Sequence, residues 1–230
     1  MNYRVRELDG IRGIAILMVL IWHYITCLPK HLVPGSIFKD LHTLTTAFWS
    51  GVDLFFVLSG FLIGGIILDN HLKHSFLKVF WIRRICRIFP VLFLLLFLCW
   101  ASVVFLNAER FSWLFDGLMP WWTYPTFTQN IAMGQTGFFG GKFLGVTWSL
   151  AVEEQFYLVA PLLMLAVGKR TWTRAIVPLI LFALLLRLSF PGFHGYVNAA
   201  FRMDSLLSGV LIAVIYRNEK VWRTLLSHRN

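Results

Sequence analysis

Ile11-Arg-Gly-Ile-Ala-Ile-Leu-Met-Val-Leu-Ile-Trp-His-Tyr-Ile-Thr-Cys-Leu28 decides how the chain is read. The run is apolar and approaches the ~20 residues that a helix needs to cross ~30 Å of hydrocarbon. Yet it contains Arg12 and His23, eleven residues apart. On one helix they lie roughly 16 Å apart along the axis and about 20° apart around it, so they share a face. Ionisable groups inside a span are costly, and a cation in line with a titratable imidazole asks for a reason.

The same character extends outward. The 230 residues are 58% hydrophobic and 14% charged, with a mean hydropathy of +0.70. A soluble domain cannot bury so much apolar side chain, so the class is an all-α, polytopic transmembrane bundle. Six strong spans are predicted, at residues 11–28, 47–68, 88–106, 148–167, 175–190 and 199–216. Residues 117–133, with Trp121, Trp122 and Tyr124, are aromatic but weakly apolar. They read as an interfacial or re-entrant segment and not as a seventh crossing. No internal repeat, linker or soluble domain interrupts the chain, so residues 1–230 are expected to form one membrane unit.

The formal net charge of +10 would suggest nucleic acid in a soluble protein. Its placement speaks for topology instead, and no nucleic-acid partner is expected. Fifteen of the 21 Lys and Arg fall before or at Arg12, between Lys73 and Arg87, between Lys169 and Arg174, or after Tyr216. Lys30, Lys39, Arg110 and Lys142 occupy the alternate loops, and Arg187 and Arg202 lie within spans. Six crossings put every rich segment on one side, which makes that side and both termini cytosolic. Arg4, Arg6 and Glu7 precede the first span without a small-residue cleavage site, so a retained helix is expected. Cys27, Cys86 and Cys99 have neither metal-like nor redox spacing.

Each polar group buried near the bilayer centre costs ~2.5–3.5 kcal/mol on insertion scales. His23 lies five residues from the outer end of the first span, Asp53 six from that of the second, and Glu153 and Glu154 five and six from that of the fourth. Arg202 and Asp204 begin the sixth. Helices of different direction thus bring these groups to one outer-third level. A carboxylate beside a histidine fixes its tautomer and stabilises the imidazolium formed when it takes a proton. His23 then reads as a general base toward a hydroxyl, with Asp53, Glu153 or Glu154 as orienting partner. The competing reading makes His23 a helix-packing polar group, satisfied by a neighbouring backbone group or hydroxyl. Asp53 on its own reads as structural, through a pair with Arg202. Glu153 and Glu154 project about 100° apart, so only one faces a shared cavity. Scattered carboxylates and a single histidine imply no metal.

At the cytosolic end, Trp81-Ile-Arg-Arg-Ile-Cys-Arg-Ile-Phe-Pro90 places Arg83, Arg84 and Arg87 ahead of the third span. Arg84 and Arg87 share a face and suit phosphate with forked donors. A positive-inside flank looks the same. Arg12, expected on this side, completes an anion pocket in the first reading; in the second it snorkels or pairs with Asp9. Gly60 and Gly64, four apart, read as a helix-packing pair. Arg187 has no assigned role.

Five motifs carry a resemblance. Leu8-Asp-Gly-Ile-Arg-Gly-Ile-Ala with His23, Asp53-Leu-Phe-Phe-Val-Leu-Ser-Gly-Phe-Leu-Ile, Arg84-x-x-Arg87-Ile-Phe-Pro90, Trp148-Ser-Leu-Ala-Val-Glu-Glu-Gln-Phe-Tyr157 and Arg202-x-Asp204 followed by Gly209 stand in order over nearly the whole chain. Together they resemble the membrane acyltransferase-3 family. The resemblance implies an O-acyltransferase of the cytoplasmic membrane that moves an acyl group, typically acetyl, from cytosolic acyl-coenzyme A to a hydroxyl of a cell-envelope carbohydrate or lipid-linked sugar. It carries a catalytic role onto His23, a partner role onto Arg12, coenzyme-A phosphate contacts onto Arg84 and Arg87, and an active-site role onto Glu154. Family members usually continue for several more helices, so a natural short form, a truncated reading frame or a fragment is expected, with the domain incomplete at its C-terminus. Besides acyl-coenzyme A and the acceptor, membrane lipids are the expected contacts, and self-association stays open. So does the choice between direct transfer and an acyl-histidine. Two rivals stand beside this reading: a membrane acyltransferase with a lipid or protein acceptor, and a non-catalytic transporter or helper with a polar pathway.

Overall fold

The computed structural model describes residues 6–26, 42–105 and 116–227, and every element among them is helical. In chain order these are α1 (Arg6–Ile21), α2 (Gly51–Asn70), α3 (Phe76–Phe105), α4 (Gln129–Thr136), α5 (Lys142–Gly145), α6 (Trp148–Ser189), α7 (Phe193–Val197), α8 (Met203–Arg217) and α9 (Glu219–Ser227). A π-helical turn, Trp22–Thr26, extends α1 and carries His23. Helices prevail because lipid offers backbone groups no other hydrogen-bonding partner. Among the described residues, four stretches are long and apolar enough to cross a membrane: Glu7–Thr26, His42–Asn70, Phe76–Phe105 and Lys142–Ser189.

The centre is the pair α2 and α8. A Cβ added at Gly60 would land on the Leu206 carbonyl, and one at Gly209 on the Val57 carbonyl, so backbone meets backbone there. Asp53 bonds Ser205 and Arg202 at one end, and Asp69 takes both Nε and Nη2 of Arg217 at the other, each at 2.7 Å. The two helices therefore run parallel. α1 is antiparallel to α2, because Gly51 at the start of α2 faces Ala15 and Met18 near the end of α1. Phe56, Ile63, Val152 and Leu206, all fully buried, form the core where α6 joins the pair.

α6 is 42 residues long, which would measure about 63 Å if straight. It is not straight. The Arg202 guanidinium lies 5.7 Å from the ring of Trp148, at the start of α6, and bonds Asp53. Arg187, near the end of α6, bonds the same Asp53. The helix doubles back at Gly168, whose φ of 76° and ψ of 155° suit a residue without a Cβ.

These elements modify the sequence expectation of six separate spans. Residues 148–167 and 175–190 belong to one helical run broken at Gly168, and 199–216 folds as a 3₁₀ turn, Ala199–Phe201, followed by the 15-residue α8. Cys27 and the ends of two expected spans (residues 27–28 of the first and residue 106 of the third) lie outside the described residues. Within 117–133 no long helix forms: a 3₁₀ turn, Trp121–Thr123, is followed by α4, whose eight residues reach only about 12 Å. Buried amides hold this segment. Gln155 donates to the Phe127 carbonyl at 2.6 Å and to Asn130 Oδ1 at 2.8 Å, and Asn130 donates to the Val197 carbonyl at 3.2 Å.

Candidate active site

His23 sits on the wall of a cavity of about 750 Å³. Trp22, Trp49, Phe139, Trp148, Phe193 and Tyr196 line it as well, and Lys142 shares the wall. Ring centroids of Trp148 and Tyr196 lie 4.8 Å apart, and those of Phe139 and Phe193 4.6 Å. The ring of His23 is oriented from within its own helix: Nδ1 lies 2.8 Å from the Val19 carbonyl. A carbonyl only accepts, so Nδ1 carries the proton, and in the neutral ring Nε2 holds the lone pair. The turn that bears this histidine is π-helical, a distortion that recurs at functional sites.

The three carboxylates considered as partners of His23 have other neighbours. Asp53 accepts from Arg202 at 2.9 Å, Ser205 at 3.1 Å and Arg187 at 3.3 Å. Arg187 also donates to Asp204 at 2.8 Å, and Arg202, 1% exposed, donates through Nε to the Tyr196 carbonyl at 2.8 Å. This is the Asp53–Arg202 pair that the sequence offered as the structural alternative, and it gives Arg187 a place as well. The cluster borders a second cavity of about 260 Å³, which shares Trp49, Gly192 and Tyr196 with the first.

Glu153 is buried and turned toward α2, where Ser59 donates to it at 2.7 Å and Tyr157 at 3.0 Å. Glu154 points elsewhere. Its Oε1 is buried without a hydrogen-bond partner, and the charges of Arg84 and Arg87 act on it. Arg84 and Arg12 act in turn on Glu153. The arginines and glutamates singled out in the sequence thus converge, but at a different place from His23: none of Arg12, Arg84 and Arg87 lines its cavity. Arg84 is half-buried with Cζ 4.3 Å from the Tyr157 ring centroid, while Arg83 and Arg87 are exposed. Arg12 lies 3.7 Å from Asp9, the pairing foreseen as its alternative.

Several residues of the site went unremarked in the sequence. Trp49 and Tyr196 look like ordinary interfacial aromatics, and Lys142 like a stray loop cation. Tyr157 carries a signal, since it stands four residues after Glu153 and so on the same helix face.

Comparison with known proteins agrees with this arrangement of motifs. The model of the acyltransferase domain of the acyltransferase-3 family matches residues 5–228. A Staphylococcus aureus (strain COL) protein, provisionally named an O-acetyltransferase, is 29% identical over 91% of this chain and 34% of its own length. Peptidoglycan O-acetyltransferase OatA of Listeria monocytogenes is 33% identical over 70% of this chain and 24% of its own. An uncharacterized Haemophilus influenzae protein is 34% identical over 73% of this chain and 75% of its own length. The chain thus spans about a third or less of the two relatives with named activities. No solved structure matches it. Apolar helices, motif order and the match over 5–228 lead to one assignment: this is a membrane protein of the acyltransferase-3 family.

Proposed function

We propose that the protein is an O-acyltransferase that moves an acyl group, acetyl above all, from cytosolic acyl-coenzyme A to a hydroxyl of a cell-envelope carbohydrate. The observation that carries this reading is the orientation of His23, with Nδ1 committed to Val19 and Nε2 left basic beside a cavity large enough for a ligand. The name of the Listeria relative favours peptidoglycan-like acceptors.

The donor phosphates bind Arg84 and Arg87, with Arg12 nearby, and the pantetheine arm extends toward the cavity. Tyr157 stands nine residues from Trp148 on α6, so the arm has about 14 Å to cover along that helix. The acceptor hydroxyl attacks the thioester carbonyl carbon while His23 Nε2 takes its proton. The tetrahedral adduct collapses, the C–S bond breaks, and the imidazolium returns the proton to the leaving thiolate. Glu154 lies close enough to the phosphate-binding arginines to feel their charge. Asp53 serves this chemistry by holding the wall of the cavity.

Six crossings with cytosolic termini, one helical unit over 1–230 and residence in the inner membrane complete the reading. The parallel run of α2 and α8 supports the count, because an odd number of crossings must separate them: α3 supplies one and the reversed α6 two.

The test is to supply labelled acetyl-coenzyme A to membranes containing the chain and identify the labelled product. His23→Ala is expected to lower transfer by about 10²–10⁴-fold with the protein still inserted. Unchanged turnover would remove His23 from the mechanism. Solute flux without coenzyme-A dependence would make the protein a transporter.

A further inference from the structure

We infer that Tyr157, braced by Glu153 and Ser59, is the residue that positions Arg84 for the acyl donor. The inference rests on the reading of Arg84 as a donor contact, and its own support is a chain of contacts linking three helices. Ser59 of α2 donates to Glu153 Oε1, Tyr157 donates to Glu153 Oε2, and the Tyr157 ring carries the Arg84 guanidinium of α3 at 4.3 Å. Trp81, three residues before Arg84, donates through Nε1 to the Tyr157 carbonyl at 3.4 Å, so α3 meets this one residue twice.

Three features give the chain of contacts its purpose. Among the described residues, Arg84 has no carboxylate within ion-pairing distance, although Glu153 and Glu154 are both close enough to feel its charge. A guanidinium over an aromatic face is held through that face, which leaves its edge of N–H donors open to a phosphate. The two oxygens of Glu153 are both taken by neutral hydroxyls, so it fixes the tyrosine without closing on the arginine. Phe80, one turn before Arg84, adds a second ring at 5.9 Å. Tyr157 is in this account a positioning residue that acts through Arg84.

The test measures KM for acetyl-coenzyme A and kcat for Arg84→Ala, Tyr157→Phe and Tyr157→Leu, each checked for insertion. Tyr157→Leu removes the ring and is expected to raise the donor KM about tenfold with little change in kcat. Tyr157→Phe keeps the ring and is expected to restore KM to within about threefold of the parent. Should Tyr157→Leu not insert, Tyr157→Met takes its place. A raised KM in Arg84→Ala with a parental KM in the ringless variant overturns the inference, as does a loss confined to kcat. A parental KM in Arg84→Ala overturns instead the reading of Arg84 as a donor contact.

Discussion

Arginine is held in two ways along α6. Near Trp148 and Ser189, the guanidinium groups of Arg202 and Arg187 are bound by Asp53, Asp204 and the Tyr196 carbonyl. Nine residues into the same helix, Arg84 lies on the Tyr157 ring, and the carboxylates around it are bonded to hydroxyls or left without a partner. Buried charges that find counter-charges close a structure, since breaking such a pair strands an ion. Charges that are steadied but unpaired remain available to a ligand. The first cluster is a clasp, and the second has the open form that the proposed donor contact needs. The helices differ in the same sense: 56% of the most apolar window of His42–Asn70 is buried, against 11% of that of Phe76–Phe105. The clasp binds the central pair, whereas Arg84 and Arg87 stand on a helix that is far less buried.

Substitutions separate the two. The largest effect on stability is expected from Asp53→Ala, which leaves Arg202 buried without its carboxylate and should cost about 3–5 kcal/mol. A thermal unfolding midpoint in detergent equal to the parent's would end the description of a clasp. Arg87→Ala should do the opposite, leaving that midpoint in place and weakening donor affinity by about 1.5–3 kcal/mol, the worth of a charged hydrogen bond. Direct titration with coenzyme A reads this out, and a drop in stability with parental affinity would move Arg87 to the structural group. Asp69→Asn sharpens the contrast further. It breaks a well-aligned pair with Arg217, but the two side chains are 54% and 31% exposed, so less than about 1 kcal/mol is expected. A loss matching that of Asp53→Ala would show that pairing alone, and not burial, sets the cost.

Much of this was legible in the residues. Arg84 and Glu154 were singled out, but Glu154 was expected at the level of His23, whereas the charge of Arg84 acts on it. Gly60 and Gly64 were read as packing positions, and Gly60 meets the Leu206 backbone. Asp53 carried both readings, and spacing cannot decide between partners on distant helices. The partner of His23 is a neighbouring backbone group, as its competing reading had it, but periodicity could not single out Val19, because a carbonyl leaves no mark in a pattern of side chains. Nor could it show which way Glu153 and Glu154 point, since that depends on Ser59 in another helix. The reversal at Gly168 was expected as a loop over Lys169–Arg174, but these residues remain helical, and the turn is concentrated in one glycine.

The wider winding between Trp22 and Thr26 has a consequence for how this protein tolerates length changes. A π turn accommodates one residue more than an α turn would over the same arc. Loss of one residue there is absorbed by relaxing the turn to α, whereas one residue added between Val19 and His23 would swing the imidazole by about 100° and part it from the Val19 carbonyl. Such an insertion would change the setting of the histidine while leaving it in the chain, so here register matters as much as identity.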